Sequence, residues 1–459
     1  MAVFYPRCRV ALQAVFEGGD SVYVEATPLS AQVNRNGYSE ADTWSLDFNV
    51  RVLPFDPDLL TSIAARIYMW DAGDPDGPGD REAPDEGASK EWAQDRYLMV
   101  AGLADEPSLS ISLEDQSFSM SGRDYTSILD PEWDPKNKIP AGRLLTETIQ
   151  EIADAAAPPG ATVGFRVEWR AIGRPIPRVG AGGRSSKRRG LNVKPGKTYW
   201  DTIYDLAIDH GCIAFVADIA TIVITDSRSA TLTSLAQAPR LVYGRDLLSL
   251  EVNRRLAKEV QQTVKVRGID VQTGKRVEVQ YPATSKVKTS AIGIKRNEFD
   301  VVPAPSSGPT DRESLLAYAR NRFEMKARAE ASYKFRTAHM RVYRGRGEPS
   351  GLGIEGGNPP DADLLQLQAG DPVYAVFDPF NRESMRSLDE GSRAEHIESL
   401  GYSPAVARTL AANFSRLDVF QQPYYTRCIN YDWTHDGGLE IEVEAVNYAN
   451  AQQTEAEVA

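Results

Sequence analysis

Apolar and polar residues alternate along most of the first 125 positions. The segments CRVALQAVF, TWSLDFNVRVLP and ARIYMWDA place apolar side chains at about every second position, which is the period of a strand with one buried face. Turn-forming residues separate these segments. Because many short strands of this kind are typical of barrels and sandwiches, the pattern predicts a β-barrel or a β-sandwich at the start of the chain.

The pattern then changes to a helical period. RLLTETIQEIADAAAPPG is amphipathic, and its PPG sequence stops the helix. In GKTYWDTIYDLAIDHGC, Thr198 and Asp201 have the spacing of a capping box. TVGFRVEWRAI between the two helices is strand-like, and CIAFVADIATIVITD is typical of a hairpin. These elements predict a small α/β domain.

Strand patterns return in the second half of the chain. Val264 and Val266 alternate with polar residues before the turn DVQTG, as Val277 and Val279 do after it. HDGG joins the last two strand-like segments. EGSRAEHIESLGYSPAVARTLAANFSRL instead has the pattern of two short helices broken at GYSP, which indicates a helical insert.

The sequence therefore predicts a mainly β fold with α+β parts. At 459 residues, the chain has the length of two to four domains. The predicted units are a first β-barrel domain (1–125), a small α/β domain (126–235) with a basic loop (174–197), a second β-barrel domain (236–383 and 417–450) with a helix (311–332), a helical hairpin insert (384–416) and a tail (451–459).

Two segments of the chain have a distinctive charge, one acidic and one basic. The net charge of −12 argues against a nucleic-acid binder, although an acidic channel would keep DNA from sticking. Segment 71–86 holds seven acids and one arginine. A calcium loop fails the EF-hand spacing there, because Ala72 and Ala83 fall at its first and last ligand positions. A solvated hairpin tip is the alternative.

The basic loop 174–197 carries eight lysines and arginines and no acid. It is either a solvated loop or a docking arm for an acidic partner or DNA. The partner-docking candidates are Arg184, Lys187, Arg188 and Arg189.

Signatures of catalysis and of metal or cofactor binding are missing from the sequence. The four histidines have no metal-ligand spacing, GLNVKPGKT has one residue too many for a phosphate-binding loop, and no GxSxG is present. Three cysteines without a CxxC indicate synthesis in a reducing cytoplasm. We expect no catalytic residues, cofactor, metal, signal peptide or membrane span.

One enzymatic alternative stays open at LDPEWDP. Asp130, Glu132 and Asp134 cluster around Trp133, and paired carboxylates beside an aromatic residue can cleave glycosidic bonds. The prolines in the same segment favour a rigid linker turn instead.

A Gly-Arg-Asp triplet occurs twice, in SGRDYTSILDP and in YGRDLLSLEV. The triplets are Gly122, Arg123 and Asp124, and Gly244, Arg245 and Asp246. The glycines predict tight backbone turns, and the charged residues predict local charge-assisted contacts. We interpret the triplets as candidate domain junctions, with a coincidental repeat as the alternative.

The order of these segments resembles a family of phage proteins. SMSGRDYTSILDP, LLTETIQEIADAA and KPGKTYWDTIYDLAIDHGCIAFVADIATIVITD come first, followed by LLSLEVNRRLAKEVQQTVKVRGID, LQAGDPVYAVFD and YYTRCINYDWTHDGGLEIEVEAV. This order is similar to that of bacteriophage tail baseplate hub proteins of the late-control protein D type, and of hubs in other contractile injection systems. The resemblance covers roughly residues 1–345 and 365–450.

The resemblance implies a structural virion protein with two tube-forming barrels. Three chains would form a ring of six barrels, which adapts the six-fold tail tube to the three-fold central spike and leaves a channel for DNA. The implied partners are a homotrimer, the tail tube or distal tail protein, the spike, the tape measure protein, neighbouring baseplate subunits and DNA in transit. The implied location is the tail baseplate of the virion, after assembly in the host bacterial cytoplasm.

Two other kinds of function stay open from the sequence. A tail-associated cell-wall hydrolase would need acids or a metal converging in a groove. A receptor- or carbohydrate-binding module would use exposed aromatic platforms, whereas the seven tryptophans are scattered along the chain.

Overall fold

A computed structural model provides the structure of the chain. It describes residues 5–36, 40–53, 55–73, 95–112, 116–134, 139, 142–156, 164–171, 175–179, 196–225, 238–243, 246–254, 261–269, 275–281, 297–303, 312–328, 331–344, 362–376, 388–412 and 423–446.

The alternating N-terminal segments form seven strands, which we call the N-terminal β unit. These are β1 (Pro6–Phe16), β2 (Ser21–Ala26), β3 (Ser30–Asn36), β4 (Thr43–Asn49), β5 (Leu60–Asp71), β6 (Leu98–Ile111) and β7 (Gln116–Asp124). They pair in the order β3-β4-β7-β6-β5-β1-β2, with every pair antiparallel. In β4, Trp44, Leu46 and Phe48 are buried while the residues between them are not, as a period of two requires.

The next five elements form the α/β unit. They are α1 (Leu145–Ala156), β8 (Arg166–Trp169), α2 (Tyr199–Asp209), β9 (Ile213–Ala217) and β10 (Thr221–Thr225). The predicted capping box at the start of α2 is present, with Thr198 and Asp201 each bonded to the other's backbone. β10 lies centrally, parallel to β8 and antiparallel to β9.

The α/β unit packs on the outer side of the N-terminal β unit. Its apolar core contains Ile149 of α1 and Ile203 of α2, together with Tyr68 and Trp70 of β5 and Ala101 of β6. One side of β5 and β6 therefore contacts the inner core and the other side contacts the helices.

The remaining strands and helices complete the fold. They are β11 (Pro239–Val242), β12 (Ser249–Arg254), β13 (Gln261–Ile269), β14 (Arg276–Tyr281), β15 (Asn297–Pro303), α3 (Arg312–Arg328), β16 (Ala331–Thr337), β17 (Arg341–Arg344), β18 (Ala362–Asp363), β19 (Pro372–Val376), α4 (Glu390–Ser399), α5 (Pro404–Ala412), β20 (Pro423–Thr434) and β21 (Gly438–Val446).

Eight of these strands, β11, β12 and β16–β21, form the C-terminal β unit. β20 pairs with β19 and β21, and it also pairs with β3 from Cys428↔Asn36 to Thr434↔Ser30. This antiparallel contact joins the two β units into one 15-stranded sheet. A single apolar core lies behind the sheet and contains Val33 and Leu46 from one unit and Ile429 and Val443 from the other.

β13, β14 and β15 form a separate three-stranded sheet. Val264 and Val279 are buried in its small core against Leu315 and Tyr318 of α3. The helix predicted over 311–332 ends at Arg328, and β16 begins at Ala331. The predicted end was wrong because the helix-forming residues Glu330 and Ala331 obscured the start of the strand alternation.

α4 and α5 form the predicted helical hairpin. The chain turns between them at Gly401, which has a φ of +96°. Ala394 and Ile397 of α4 pack against Ala407 and Ala411 of α5 in a core of their own.

The mainly β fold class predicted from the sequence is confirmed. Within the described residues, no helix is long and apolar enough to cross a membrane. Cys8 and Cys212 are buried and Cys428 is half-buried, all three with free thiols.

Candidate functional site at the junction of the sheets

The two β units and the α/β unit meet near the end of β3, and Arg35 lies at this point. Arg35 follows Ala31 and Val33 on the side of β3 that faces the core. It is half-buried, and its guanidinium lies 5.6 Å from the ring centre of Tyr431 in β20. A cation in such a position requires several hydrogen-bond acceptors.

Backbone carbonyls from both β units supply those acceptors. In the N-terminal β unit, Arg35 donates to the oxygen of Leu98 at 3.0 Å and to that of Met99 at 2.8 and 2.9 Å. In the C-terminal β unit, it donates to the oxygens of Leu365 at 2.8 Å and Leu367 at 3.0 Å. All five guanidinium donors suit such a fork-shaped arrangement, so one side chain ties the two units together.

Asp124 and Asp42 form a carboxylate pair close to this point. Asp124 is buried at the end of β7, where it caps the 3₁₀ helix Tyr125–Leu129. Its carboxylate accepts hydrogen bonds from the Thr126 N–H at 2.9 Å, the Thr126 hydroxyl and the Asp42 N–H at 3.3 Å. The Asp42 carboxylate in turn accepts from the Asn36 N–H at 2.7 Å.

Burial and mutual repulsion shift the protonation of this pair. Burial raises the pKa of Asp124 to about 6, and the hydrogen bonds from Thr126 limit the rise. Burial also raises the pKa of Asp42 well above its usual range, and the negative charge of Asp124 raises it further. Two carboxylates placed this close do not ionise independently.

Arg123 and Gly122 precede Asp124 within β7. Arg123 donates to both carboxylate oxygens of Asp105, at 2.8 and 3.1 Å, and to Asp130. These ion pairs, the bonds to Asp105 above all, raise the pKa of the Arg123 guanidinium. All three side chains are more than a third exposed, so the ion pairs contribute modestly to stability.

Gly122 does not make the turn that the sequence suggested. It lies inside β7, paired with Trp44 of β4. A Cβ on Gly122 would approach the Leu103 oxygen to 2.2 Å and the Trp44 ring to 2.4 Å. Glycine is needed here because the Trp44 indole, whose Nε1 donates to the Arg123 oxygen at 3.3 Å, covers the backbone.

The α/β unit contacts the C-terminal β unit through Arg170. Its guanidinium donates to Gln368 Oε1 at 2.7 Å and pairs with Glu168 at 3.0 Å. The Gln368 N–H donates to Asp371 at 2.8 Å. Burial raises the pKa of Asp371 to about 6, against the lowering effect of that hydrogen bond and of Arg170.

A small cleft opens where these contacts converge. The N-terminal β unit contributes Arg35, Asn36, Asp42 and Met99, the end of β9 contributes residues 215–218, and the C-terminal β unit contributes Gln368 and Ala369. Within the described residues, no three His, Cys, Asp or Glu side chains are grouped to hold a metal ion. The arrangement fixes the three units relative to one another.

The second Gly-Arg-Asp triplet is only partly described. Asp246 is buried, and its carboxylate accepts a hydrogen bond from the Val242 N–H at 3.1 Å. Gly244 and Arg245 lie outside the described residues, as do the docking candidates Arg184, Lys187, Arg188 and Arg189.

The acids of LDPEWDP have structural contacts. Asp130 binds Arg123, and Glu132 accepts from the Gly196 N–H at 3.0 Å. Trp133 is buried with its ring 5.1 Å from that of Tyr199. The segment thus holds the start of α2 against the end of β7.

Sequence reasoning missed Arg35, Asp42, Arg170 and Asp371. One feature of the sequence points to Arg35, because the alternation of β3 places this cation on the side of the strand that faces the core. The other three gain their importance from residues far along the chain. Arg170 and Gln368, for example, are 198 positions apart.

No family model matches the chain, and no curated protein matches it by sequence. Solved structures match nearly its whole length, and two of them are tail proteins with TM-scores above 0.5. The tail protein from Neisseria meningitidis MC58 has a TM-score of 0.53 at 11% identity, over 98% of this chain and 99% of its own. The 43 kDa tail protein of prophage MuSo2 from Shewanella oneidensis has a TM-score of 0.54 at 12% identity, over 96% of this chain and 98% of its own.

This chain therefore shares its fold with a tail protein and with a prophage tail protein. The resemblance to phage tail proteins that the order of segments indicated is confirmed at the level of the fold.

Proposed function

We propose that this chain is a structural virion protein, the baseplate hub of a phage tail. The observation that carries the proposal is the fold shared with two tail proteins over nearly the full length of all three chains. The junction supports it, because Arg35 and the β3–β20 pairing hold two β units in fixed relation. Such rigidity suits a building block of a ring.

In the proposed assembly, three chains form a homotrimeric ring in the tail baseplate. The two β units of each chain act as the tube-forming domains, so that the ring presents six of them to the six-fold tail tube. The three-fold central spike binds the opposite side. The tape measure protein and neighbouring baseplate subunits are further partners, DNA passes through the lumen, and assembly takes place in the host cytoplasm.

The proposed role is structural and not enzymatic. Asp130 and Glu132, the carboxylates with the best sequence case for catalysis, bind Arg123 and a backbone N–H. Incubation of the protein with purified peptidoglycan should release no more soluble fragments than a heat-denatured sample does. Release above that level would contradict this part of the proposal.

The mass of the purified protein in solution tests the oligomeric state. Light scattering over a range of concentrations should give three times the monomer mass, with a sharp peak that persists on dilution. A protein that stays monomeric at every concentration, or that forms only dimers, would contradict the trimeric hub.

A further inference from the structure

The three-stranded sheet β13–β15 and α3 form a part of the chain that is separate from the large sheet. Their apolar core includes Val266 and Leu315, and Ile208 of α2 belongs to it as well. Gly211, just after α2, lies so close to α3 that a Cβ there would approach the Ala317 backbone to 3.0 Å. This part of the chain is therefore held against the α/β unit.

The same part of the chain is basic in an otherwise acidic protein. Residues 261–328 hold thirteen lysines and arginines and seven acids, whereas the whole chain holds 52 and 64. We call β13–β15 and α3 the basic unit. A charge opposite to that of the rest of the chain, concentrated in one folded unit, indicates a surface for an acidic partner.

One side of the sheet in the basic unit is covered by α3 and the other side is not. Val264 and Val266 are buried against the helix. Because side chains alternate along a strand, Lys265, Arg267 and Ile269 of β13 lie on the other side, which we call the open face. Lys265 is half-buried there, and Arg267 and Ile269 are exposed.

The neighbouring strands add charge and apolar area to the open face. Arg276 of β14 lies opposite Ile269, and Val301 of β15 lies opposite Lys265. Ile269 is 58% exposed and Val301 is 47% exposed. Exposed apolar side chains among cations are typical of a surface that binds protein, because phosphate recognition needs the cations alone.

An assembly of three copies needs such a surface. Each chain carries a net charge of −12, so copies repel one another unless oppositely charged surfaces are brought together. In a cyclic trimer, each contact joins two different surfaces of neighbouring copies. A basic surface on one copy therefore requires an acidic surface elsewhere on the next copy.

The acidic segment 71–86, with its seven acids and one arginine, provides that second surface. Asp71 fixes its start, since the carboxylate accepts hydrogen bonds from the N–H groups of Tyr5 and Gly73, both at 2.9 Å. Residues 74–94 lie outside the described residues, and the chain continues at Asp95 before β6. A loop of roughly 20 residues with both ends anchored can extend about 35 Å, which is far enough to contact another molecule.

We propose that the open face of one copy binds the acidic segment 71–86 of a neighbouring copy. This inference rests on the proposed hub function and names a contact between copies of the ring. Arg267 and Arg276 bind carboxylates of the segment, and Ile269 and Val301 contact the prolines and alanines between them. Such a contact weakens as salt is added.

Carbodiimide crosslinking followed by mass spectrometry tests the contact. The reagent joins lysine amines directly to carboxylates, and trimers are prepared from a mixture of ¹⁴N-labelled and ¹⁵N-labelled copies. Crosslinks from Lys265 and Lys275 to acids of residues 74–86 should join a light peptide to a heavy one. Lys334 and Glu442, 3.2 Å apart in one chain, are the control and should give crosslinks within a single copy.

The outcomes separate this contact from the hub function. Trimers in which the acidic segment crosslinks only within its own chain, or to Lys187 of the basic loop instead, would overturn the proposal and leave the hub function intact. A protein that stays monomeric in light scattering would refute the hub function, and the contact with it.

Charge reversal tests whether the contact holds the copies together. Arg267→Glu with Arg276→Glu should lower, roughly twofold or more, the salt concentration at which half of the trimer has dissociated. Asp74→Lys with Asp76→Lys should act in the same way, and the four changes combined should restore the parent value. Arg51→Glu, at an exposed position outside the basic unit, should change nothing. Losses that add up without recovery in the combined variant would overturn the proposal.

Binding of DNA is the alternative use of the cations on the open face. In a gel shift at low salt, fluorescent double-stranded DNA should bind the parent protein no better than the Arg267→Glu, Arg276→Glu variant. Binding by the parent that is lost in this variant would assign the open face to nucleic acid and overturn the proposal.

Discussion

At the scale of single residues, Arg35 links the two β units through its side chain. It uses five donors on four backbone carbonyls, two in each unit. A lysine keeps the charge but has a single ammonium that cannot span these acceptors. The carbonyls that it leaves behind would be desolvated without a partner.

We expect Arg35→Lys to lower the free energy of unfolding by roughly 2–4 kcal/mol. Chemical denaturation followed by tryptophan fluorescence measures the change. The matched control is Arg51→Lys, since Arg51 is exposed, and it should change stability by less than about 0.5 kcal/mol. Equal effects of the two substitutions would show that Arg35 does not join the units.

The carboxylate pair at Asp124 predicts a pH dependence of stability. Because burial raises the folded-state pKa of Asp124 from 3.8 to about 6, the folded protein binds its proton more tightly than the unfolded chain. The contribution of the Asp124 carboxyl group to the free energy of unfolding is therefore greatest below about pH 4. It declines as the pH rises to about 6 and does not change further above that pH.

Asp124→Asn should remove this part of the decline. The measurement is the melting temperature of parent and variant between pH 4 and pH 7. The difference between them should change over that range, whereas Asp20→Asn, at an exposed position, should follow the parent. A constant difference between parent and Asp124→Asn would show that the carboxyl does not titrate as proposed.

At the scale of elements, the packing of β4, β6 and β7 depends on Gly122. Gly122→Ala would bring a methyl group to within 2.4 Å of the Trp44 ring and 2.2 Å of the Leu103 oxygen. We expect a loss of roughly 2–4 kcal/mol, because backbone cannot move aside as a flexible side chain does. Thermal unfolding of the purified variant measures it.

Gly164→Ala is the matched control for Gly122→Ala. A Cβ on Gly164 meets no atom within 4 Å, and its φ is not in the left-handed region. This substitution should leave stability unchanged or raise it by up to about 1 kcal/mol. If Gly122→Ala is as stable as Gly164→Ala, the close approach of β4 and β7 does not require glycine at position 122.

The elements themselves could largely be predicted from the sequence. The period-two segments became strands, Thr198 and Asp201 capped α2, and the two short helices of the insert appeared on either side of Gly401. These features depend on residues that are close together in the chain. The helix predicted to reach 332 extended too far for the same local reason, since residue preferences blur the last turn.

The junction could not be predicted, because its contacts join distant segments. The pairing of β3 with β20 connects residues about 400 positions apart, and no periodicity reveals a partner strand. β13, β14 and β15 form a separate sheet, although they show the same alternation of apolar and polar residues as the strands of the large sheet. Asp124 and Gly122 were found through the repeated triplet, but their roles as a cap and as a site of close backbone contact needed the structure.

At the scale of the whole molecule, the two β units form one continuous sheet. The β3–β20 pairing gives a 15-stranded sheet with one core behind it. The α/β unit packs on the side of β5 and β6 that faces away from this core. Two β units held in fixed relation by one sheet suit the proposed role as the subunit of a ring.

Electron cryomicroscopy of the purified oligomer is the measurement that tests the hub assignment most directly. We predict a closed ring with three-fold symmetry and six β units around an open pore. A particle with two-fold symmetry, a closed centre or isolated monomers would contradict the assignment of this chain as a hub.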